Sequence, residues 1–191
     1  MIDYSKIAAG IAFYSKHGFK YVEAPWVTSQ TATDITRPDG AINYPFESGF
    51  LVASGEQSFF QLILDGTLKP GRYSCVTPCF RDDKLDRYHQ RWFLKLELID
   101  TKDVTTGRSL ELAYLAKEFF NTYLNDVAVV PTQPIDKTLV AETGYDVVSN
   151  EIELGSYGLR QHPLIGSWVY ATGCAEPRLS IVTAEVNSPK T

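Results

Sequence analysis

The sequence has no long apolar run, no excess of positive charge and no basic region at its start. Its longest apolar stretches, such as IAAGIAF, are too short to cross a bilayer, and the acidic Asp3 argues against a secretion signal. The formal net charge is −5, whereas a broad nucleic-acid-binding surface needs a basic face. We therefore expect neither a membrane nor DNA as a partner.

Cysteine and histidine are also scarce, with three residues of each type. Cys75 and Cys79 fall in one predicted strand, and the histidines are scattered, so neither type forms a set with metal-ligand spacing. The pattern favours reduced structural thiols in a cytoplasmic protein. Nucleophile-elbow, P-loop and GxGxxG motifs are absent from the sequence as well.

The remaining composition is that of a globular chain, and 191 residues fit one domain, which we place at 1–191. Apolar spacing predicts a helix near the start that ends at Gly18, and two further helices at 56–64 and 110–124. Thr, Asp, Gly and Pro between 28 and 48 predict a long irregular loop. Strand patterns occur at 19–23, 73–80, 92–99, 145–154 and 166–173, before a short tail. These elements predict an α+β domain with an antiparallel β-sheet flanked by helices.

The alternation in RWFLKLELI divides a predicted strand into two faces. Phe93, Lys95 and Glu97 share one face, and four apolar residues share the other. Arg81 ends the facing strand. The polar face is either simply exposed to solvent or part of a nucleotide site, in which Arg81 binds phosphate and Phe93 stacks on a purine.

The segment YDVVSNEIEL predicts an acidic hairpin. With a two-residue turn at Ser149–Asn150, Val148 faces Glu151 and Asp146 faces Glu153. Asp146, Glu151 and Glu153 would then share one face. Such carboxylates repel each other, so this cluster is either a hydrated acidic surface or a site for a cation, namely Mg²⁺ or a nearby arginine such as Arg160.

Three segments, taken in order, resemble the signature motifs of the class II aminoacyl-tRNA synthetase catalytic domain. HGFKYVEAPWV resembles motif 1, CFRDDKLDRYHQRWFLKLEL resembles motif 2, and TGCAEPRLS resembles motif 3. FLVASGEQ is similar to a segment of asparaginyl-tRNA synthetases, and CFRDDKL to the motif 2 opening of the aspartyl enzymes. YDVVSNEIELGSYGLR fits the aspartyl/asparaginyl pattern, and ELGSYGLR also resembles ammonia-dependent asparagine synthetase.

The resemblance implies a role for each matching residue. Arg81 would hold the α-phosphate of ATP, Phe93 would stack on adenine, Asp83 and His89 would contact the nucleotide, and Arg178 would take the γ-phosphate. The two arginines would be the catalytic residues. Asp146 and Glu153 would bind Mg²⁺. Glu56 would bind the amino group of the amino-acid substrate, and Arg160 would bind its side-chain carboxylate or amide.

The sequence departs from the family pattern at three places. Asp83 replaces the usual glutamate of motif 2, while Ala175 and Pro177 replace a glycine and the acidic residue before the arginine of motif 3. The match covers nearly the whole chain, so no residues remain for the anticodon-binding domain that the tRNA enzymes carry.

The resemblance therefore implies an enzyme that uses ATP to activate aspartate, asparagine or a close analogue as an aminoacyl-adenylate, for an acceptor other than whole tRNA. The alternative is a catalytically silent paralogue that binds an amino acid or a nucleotide and regulates a partner. A minimal tRNA ligase is disfavoured by charge and length. We also expect a homodimer, because Phe19, Tyr21 and Trp26 predict an exposed apolar surface beside Pro25.

Overall fold

The computed structural model describes residues 1–132 and 144–187. The described helices are α1 (Tyr4–Lys16), α2 (Gln30–Asp34), α3 (Gly55–Leu64), α4 (Thr106–Phe120) and α5 (Arg178–Asn187). The described strands are β1 (Lys20–Tyr21), β2 (Val27–Thr28), β3 (Tyr44–Phe46), β4 (Gly49–Leu51), β5 (Arg72–Phe80), β6 (Trp92–Asp100), β7 (Val127–Thr132), β8 (Gly144–Ser149), β9 (Ile152–His162) and β10 (Gly166–Glu176).

A seven-stranded sheet in the order β1-β5-β6-β10-β9-β8-β7 forms the centre of the fold. Its pairs are antiparallel except for β1, which runs parallel to β5. A small antiparallel sheet, β2-β4-β3, stands beside it. This arrangement confirms the predicted α+β class with an antiparallel sheet and flanking helices.

The β5–β6 hairpin has the two faces that the alternation predicted. Cys79 pairs with Phe93, Thr77 with Lys95 and Cys75 with Glu97, so the three residues of the polar face point to one side of the sheet. Leu96 and Leu98 point to the other side and are fully buried. Simple exposure to solvent does not describe the polar face, because the Glu97 side chain is only 1% exposed.

The turn of the β8–β9 hairpin differs from the prediction by one residue. Ser149 pairs with Ile152, so Asn150 and Glu151 form the turn, and both have positive φ (47° and 65°). The expected pairs Val148–Glu151 and Asp146–Glu153 are therefore wrong. Glu151 lies exposed in the turn and takes no part in the acidic face.

A β-bulge in β9 brings the acidic residues back to one side of the sheet. Val147 pairs with Gly155 and Val148 pairs with Glu153, so Leu154 is an extra residue between the two pairs. Asp146 pairs with Ser156 on the same face. Asp146 and Glu153 are thus close neighbours although they do not face each other directly.

Three other expectations need correction. The predicted irregular loop at 28–48 contains α2 and β3, and the predicted short tail contains the end of β10 and then α5. Phe19 is buried rather than exposed, because its ring packs edge-on against Tyr14 with centroids 6.3 Å apart. The surface proposed for dimerisation therefore retains Tyr21 and Trp26 but not Phe19.

The helices cover the sheet on two sides and so fix where a site can form. Helices α1 and α4 pack on the apolar face and form the larger core cluster, while α3 contributes Phe59 and Phe60 to a second cluster with Trp168. All three cysteines are buried free thiols. Across 1–132 and 144–187, the helices are too short or too polar to cross a membrane.

Candidate active site

A cavity of about 520 Å³ opens on the polar face of the sheet. Its wall is formed by the start of α3, the ends of the β5–β6 hairpin, β9, β10 and the first residue of α5. Seven of the residues predicted from sequence line this cavity, namely Glu56, Arg81, Asp83, Phe93, Glu153, Arg160 and Arg178. Asp146 and His89 are outside its lining. The fold therefore brings together residues from five separate segments of the chain.

At one end of the cavity, Arg81 and Phe93 form a fixed pair. The Arg81 guanidinium carbon lies 5.2 Å from the centre of the Phe93 ring, within the range of a cation–π contact. The Nε of Arg81 donates a hydrogen bond to the backbone carbonyl of Ala53 at 2.9 Å. Since this bond uses only Nε, the other guanidinium N–H groups can bind an anion in the cavity.

At the other end, Arg160 and Glu56 form a buried ion pair. Nη1 of Arg160 donates to Oε2 of Glu56 at 2.7 Å, and the indole Nε1 of Trp168 donates to Oε1 at 2.8 Å. The guanidinium lies 4.1 Å from the centre of the Tyr170 ring. Burial opposes the charge of Arg160, but Glu56, Tyr170 and Glu97 together outweigh it and raise the pKa of Arg160 above its usual value.

A second buried ion pair lies beneath the start of α3. Glu97 accepts hydrogen bonds from Lys95 Nζ at 2.9 Å, Ser54 Oγ at 3.0 Å and the Gly55 backbone N–H at 2.6 Å. Burial opposes ionisation of Glu97, but Lys95, Arg81 and the hydrogen bond from Ser54 together outweigh it, so the pKa of Glu97 is lowered. The carboxylate thus holds the N-terminus of α3, and with it Glu56, against β6.

Glu153 stands between the two ends of the cavity, beside Arg178. The Arg178 Nη1 donates to the backbone carbonyl of Glu153 at 3.2 Å and lies 3.6 Å from its Oε1. Arg178 is the first residue of α5, and it reaches the cavity although Pro177 precedes it. The pair holds the guanidinium at the cavity wall.

Asp146 lies on the same face as Glu153, and its ionisation is disfavoured. Burial and the charge of Glu153 together raise the pKa of Asp146 to about 6. Two neighbouring carboxylates are suited to a divalent cation, because oxygen ligands and negative charge are what Mg²⁺ prefers. The described residues contain no cluster of three or more metal-ligating side chains, so a cation here would need further ligands, such as phosphate oxygens or water.

His89 lies in the loop between β5 and β6, where it is partly exposed. Its Nδ1 is 2.8 Å from Oδ2 of Asp86. His89 lines a small cleft beside the main cavity, together with Asp83, Phe93 and Arg178. The predicted nucleotide-contacting residues Asp83 and His89 are thus both near Phe93, but only Asp83 borders the main cavity.

Sequence reasoning missed the residues that hold the site in place. Glu97 and Lys95 were placed on the correct face, but nothing in the alternation indicated that α3 would cover them. The Glu56–Arg160 pair is contacted by Trp168 and Tyr170, which lie on β10. In the sequence, nothing distinguishes these two residues from other strand residues. Ser54 carried a signal, because a serine immediately before a helix is a preferred N-cap.

Comparisons with known proteins support the fold, but not a particular substrate or the roles of particular residues. No family model matches the sequence, and no curated protein matches it. Similar solved structures include a pyrrolysyl tRNA synthetase from Desulfitobacterium hafniense, with a TM-score of 0.76 and 16% identity over 95% of this chain and 66% of that one. Two further structures each have a TM-score of 0.73 and 17% identity over 95% of this chain. They are a cytoplasmic serine-tRNA ligase from Naegleria fowleri in complex with AMP and a seryl-tRNA synthetase from Pyrococcus horikoshii complexed with ATP.

These similarities give this chain the class II aminoacyl-tRNA synthetase catalytic fold that the three motifs predicted. The chain spans about half the length of the two seryl enzymes (53% and 49%) and just under two thirds of the pyrrolysyl enzyme (66%).

Proposed function

We propose that this protein activates an amino acid with ATP as an aminoacyl-adenylate. One observation carries the proposal. A single cavity has a guanidinium beside an aromatic ring at one end, Arg81 with Phe93, and a buried polar pair at the other, Glu56 with Arg160. The first end suits a nucleotide phosphate and base, and the second suits the polar side chain of a small molecule. A reaction that joins the two ligands needs both in one cavity.

At the nucleotide end, the chain would act by positioning and by neutralising charge. Arg81 would hold the α-phosphate, Phe93 would stack on adenine, and Arg178 would leave Glu153 to bind the γ-phosphate. Asp83 and His89 would contact the nucleotide from the loop. The α-carboxylate of the amino acid would attack the α-phosphate in line and displace pyrophosphate, as the bond from the α-phosphorus to the bridging oxygen breaks. The step therefore needs correct placement rather than a general base.

At the amino-acid end, the resemblance suggests aspartate or asparagine, and the Glu56–Arg160 pair favours the amide. A carboxamide can accept a hydrogen bond from Arg160 and donate one to Glu56. The side-chain carboxylate of aspartate has no hydrogen-bond donor for Glu56. It would also meet Arg160, whose positive charge Glu56 already balances. Glu56 would also bind the substrate amino group.

Asp146 and Glu153 would hold Mg²⁺ beside the phosphates. When bound, Mg²⁺ would neutralise phosphate charge. The acceptor would be a molecule other than whole tRNA, because a chain of net charge −5 is poorly suited to a large polyanion. We further propose a single domain, a homodimer and a cytoplasmic location.

ATP–pyrophosphate exchange, measured with each amino acid in turn, tests this function without knowledge of the acceptor. We expect exchange with asparagine or aspartate and none with lysine or leucine. The Arg81→Ala variant should abolish exchange, whereas Arg91→Ala should not, because Arg91 is exposed and pairs with Asp82 in the loop. Exchange with every amino acid alike would contradict the assignment of Arg160.

The second candidate function is a silent paralogue that binds a ligand and regulates a partner. Two observations favour it, namely Pro177 in place of an acidic residue and the engagement of Arg178 with Glu153. Isothermal titration distinguishes the two functions. Binding of ATP or an amino acid by a protein that never exchanges pyrophosphate would support the paralogue.

A further inference from the structure

The loop between β5 and β6 is attached to α5 through one carboxylate. The hydroxyl of Tyr88 donates to Glu185 at 2.9 Å (Oε2) and 3.1 Å (Oε1). Nη1 of Arg87 lies 2.8 Å from Oε1 of the same carboxylate. The ring of Tyr88 also packs against the main core cluster. The tip of this charged loop is therefore bound to a helix rather than free in solvent.

The loop is also ordered from within. Asp86 Oδ1 accepts hydrogen bonds from the backbone N–H groups of Tyr88 and His89, each at 2.7 Å. At its base, the Arg81 N–H donates to the carbonyl of Arg91 at 3.0 Å. Hydrogen bonds therefore hold the loop both at its base, at Arg81, and near its tip, at Tyr88 and His89.

The attachment point has a specific relation to the site. Arg178 and Glu185 are seven residues apart on α5, which places them about 10 Å apart along the axis and within about 20° of the same helix face. One face of α5 thus presents Arg178 to the cavity and Glu185 to the loop. The cleft between loop and helix is bordered by Tyr88, His89, Phe93 and Arg178.

We propose that Tyr88 and Glu185 are positioning residues that fix the β5–β6 loop relative to the helix carrying Arg178, and so set the width of the nucleotide end of the cavity. This inference rests on the proposed binding of ATP. Neither residue borders the main cavity, so both would act through Arg81, His89 and Arg178. The negative charge of Glu185 also draws Arg87 towards α5.

The test compares Tyr88→Phe and Glu185→Gln with the matched exposed controls Tyr114→Phe and Glu118→Gln on α4. The first measurement is tryptic cleavage after Lys84 and Arg87 in the nucleotide-free protein, followed by mass spectrometry. All four variants keep these cleavage sites. Loss of a hydrogen bond to a charged group should make the loop open more often, so we expect cleavage about five- to tenfold faster in the two test variants and unchanged in the controls.

The second measurement is the ATP concentration dependence of exchange, together with ATP binding by titration. We expect the Kd and KM for ATP to rise about tenfold in Tyr88→Phe, with the KM for the amino acid and the melting temperature nearly unchanged. A merely structural role would lower the melting temperature and weaken both ligands alike.

Unchanged cleavage in Tyr88→Phe would overturn the inference, and so would faster cleavage with unchanged ATP affinity. A wild-type protein that binds no ATP would instead overturn the proposed function. The two failures are distinguishable, because the cleavage measurement requires no nucleotide.

Discussion

Arg160 and Glu56 are joined by a 2.7 Å ion pair although 104 residues separate them in the chain. The pair connects β9 to the start of α3 across the cavity and has Tyr170 on one side and Trp168 on the other. Both residues were expected to bind substrate separately. Their contact instead joins them in one unit, in which a hydrogen-bond donor and an acceptor lie side by side.

The first prediction concerns the stability of this unit. Arg160→Leu leaves the buried Glu56 without its cation, so we expect the free energy of unfolding to fall by about 3 kcal/mol. Urea denaturation measures the change. As a control, Arg37→Leu breaks an exposed pair of similar length with Asp34 and should cost less than about 1 kcal/mol. A double variant, Glu56→Gln with Arg160→Leu, should lose less than the sum of the single changes.

The second prediction separates phosphate binding from support of the fold. Arg81→Ala should raise the Kd for ATP more than about tenfold, because a guanidinium can hold a phosphate through two hydrogen bonds. Lys95→Ala should mainly lower the melting temperature, because it leaves the buried Glu97 without its cation. Titration with ATP and thermal denaturation of both variants test this difference. Equal loss of ATP affinity in the two would mean that Arg81 has no special role.

The third prediction follows from the raised pKa of Asp146, which is about 6. Between about pH 4 and pH 6 the folded protein keeps a proton that the unfolded chain has already released, so the free energy of unfolding falls as pH rises through this range and stays lower above it. Asp146→Asn should therefore raise the melting temperature at pH 7 by about 2–4 °C. This gain is smaller than the pKa shift alone would imply, because the carboxyl group is partly exposed and solvent screens its charge. The gain should vanish near pH 4.

The same carboxylates predict a coupled response to Mg²⁺. Without ATP, Mg²⁺ should bind weakly, since Arg178 already pairs with Glu153. With ATP, it should bind firmly, because the phosphate oxygens supply further ligands. Because cation binding favours the ionised form of Asp146, the affinity should decrease below about pH 6. Calorimetry with and without ATP, at pH 5 and pH 7.5, measures both effects. Equal Mg²⁺ affinity under all four conditions would exclude Asp146 and Glu153 as ligands.

The last prediction concerns assembly. Trp26 is 58% exposed and Tyr21 is 39% exposed beside it in the chain, so we expect a homodimer with about twice the 21.4 kDa mass of the chain. Trp26→Ser should weaken the dimer. Trp92→Ser is the matched control, since Trp92 is 56% exposed at the start of β6. Light scattering that gives a single 21 kDa species for the wild type at micromolar concentration would contradict this prediction.

The sequence predicted the parts of the fold that depend on regular alternation. The strands at 73–80 and 92–99 match β5 and β6 to within one residue, because each has one apolar face. The helix α5 was missed, since LSIVTAEV is rich in β-branched residues and favours a strand by propensity. Its helical state comes from packing, with Leu179 and Val182 buried in the core.

The candidate site likewise has features that local sequence patterns predict and features that depend on contacts between distant segments. Residues that face the cavity were recognisable from motifs, but their ion pairs join distant segments and leave no local pattern. The turn at Asn150–Glu151 was misplaced because a glutamate with positive φ is uncommon. The bulge at Leu154 was also invisible to alternation, which assumes an unbroken pleat.

That bulge determines which residues of β9 share the cavity side of the sheet. Glu153 and Arg160 are seven positions apart, an odd number, so in an unbroken strand their side chains would point to opposite faces of the sheet. The extra residue at Leu154 restores the parity and puts both on the cavity side. Deletion of Leu154 would reduce the separation to six positions and keep both side chains on one face, whereas a regular strand of unchanged length would turn one of them to the opposite face. A chain of this fold without the extra residue would need its acidic and basic positions an even number of residues apart to build the same cavity.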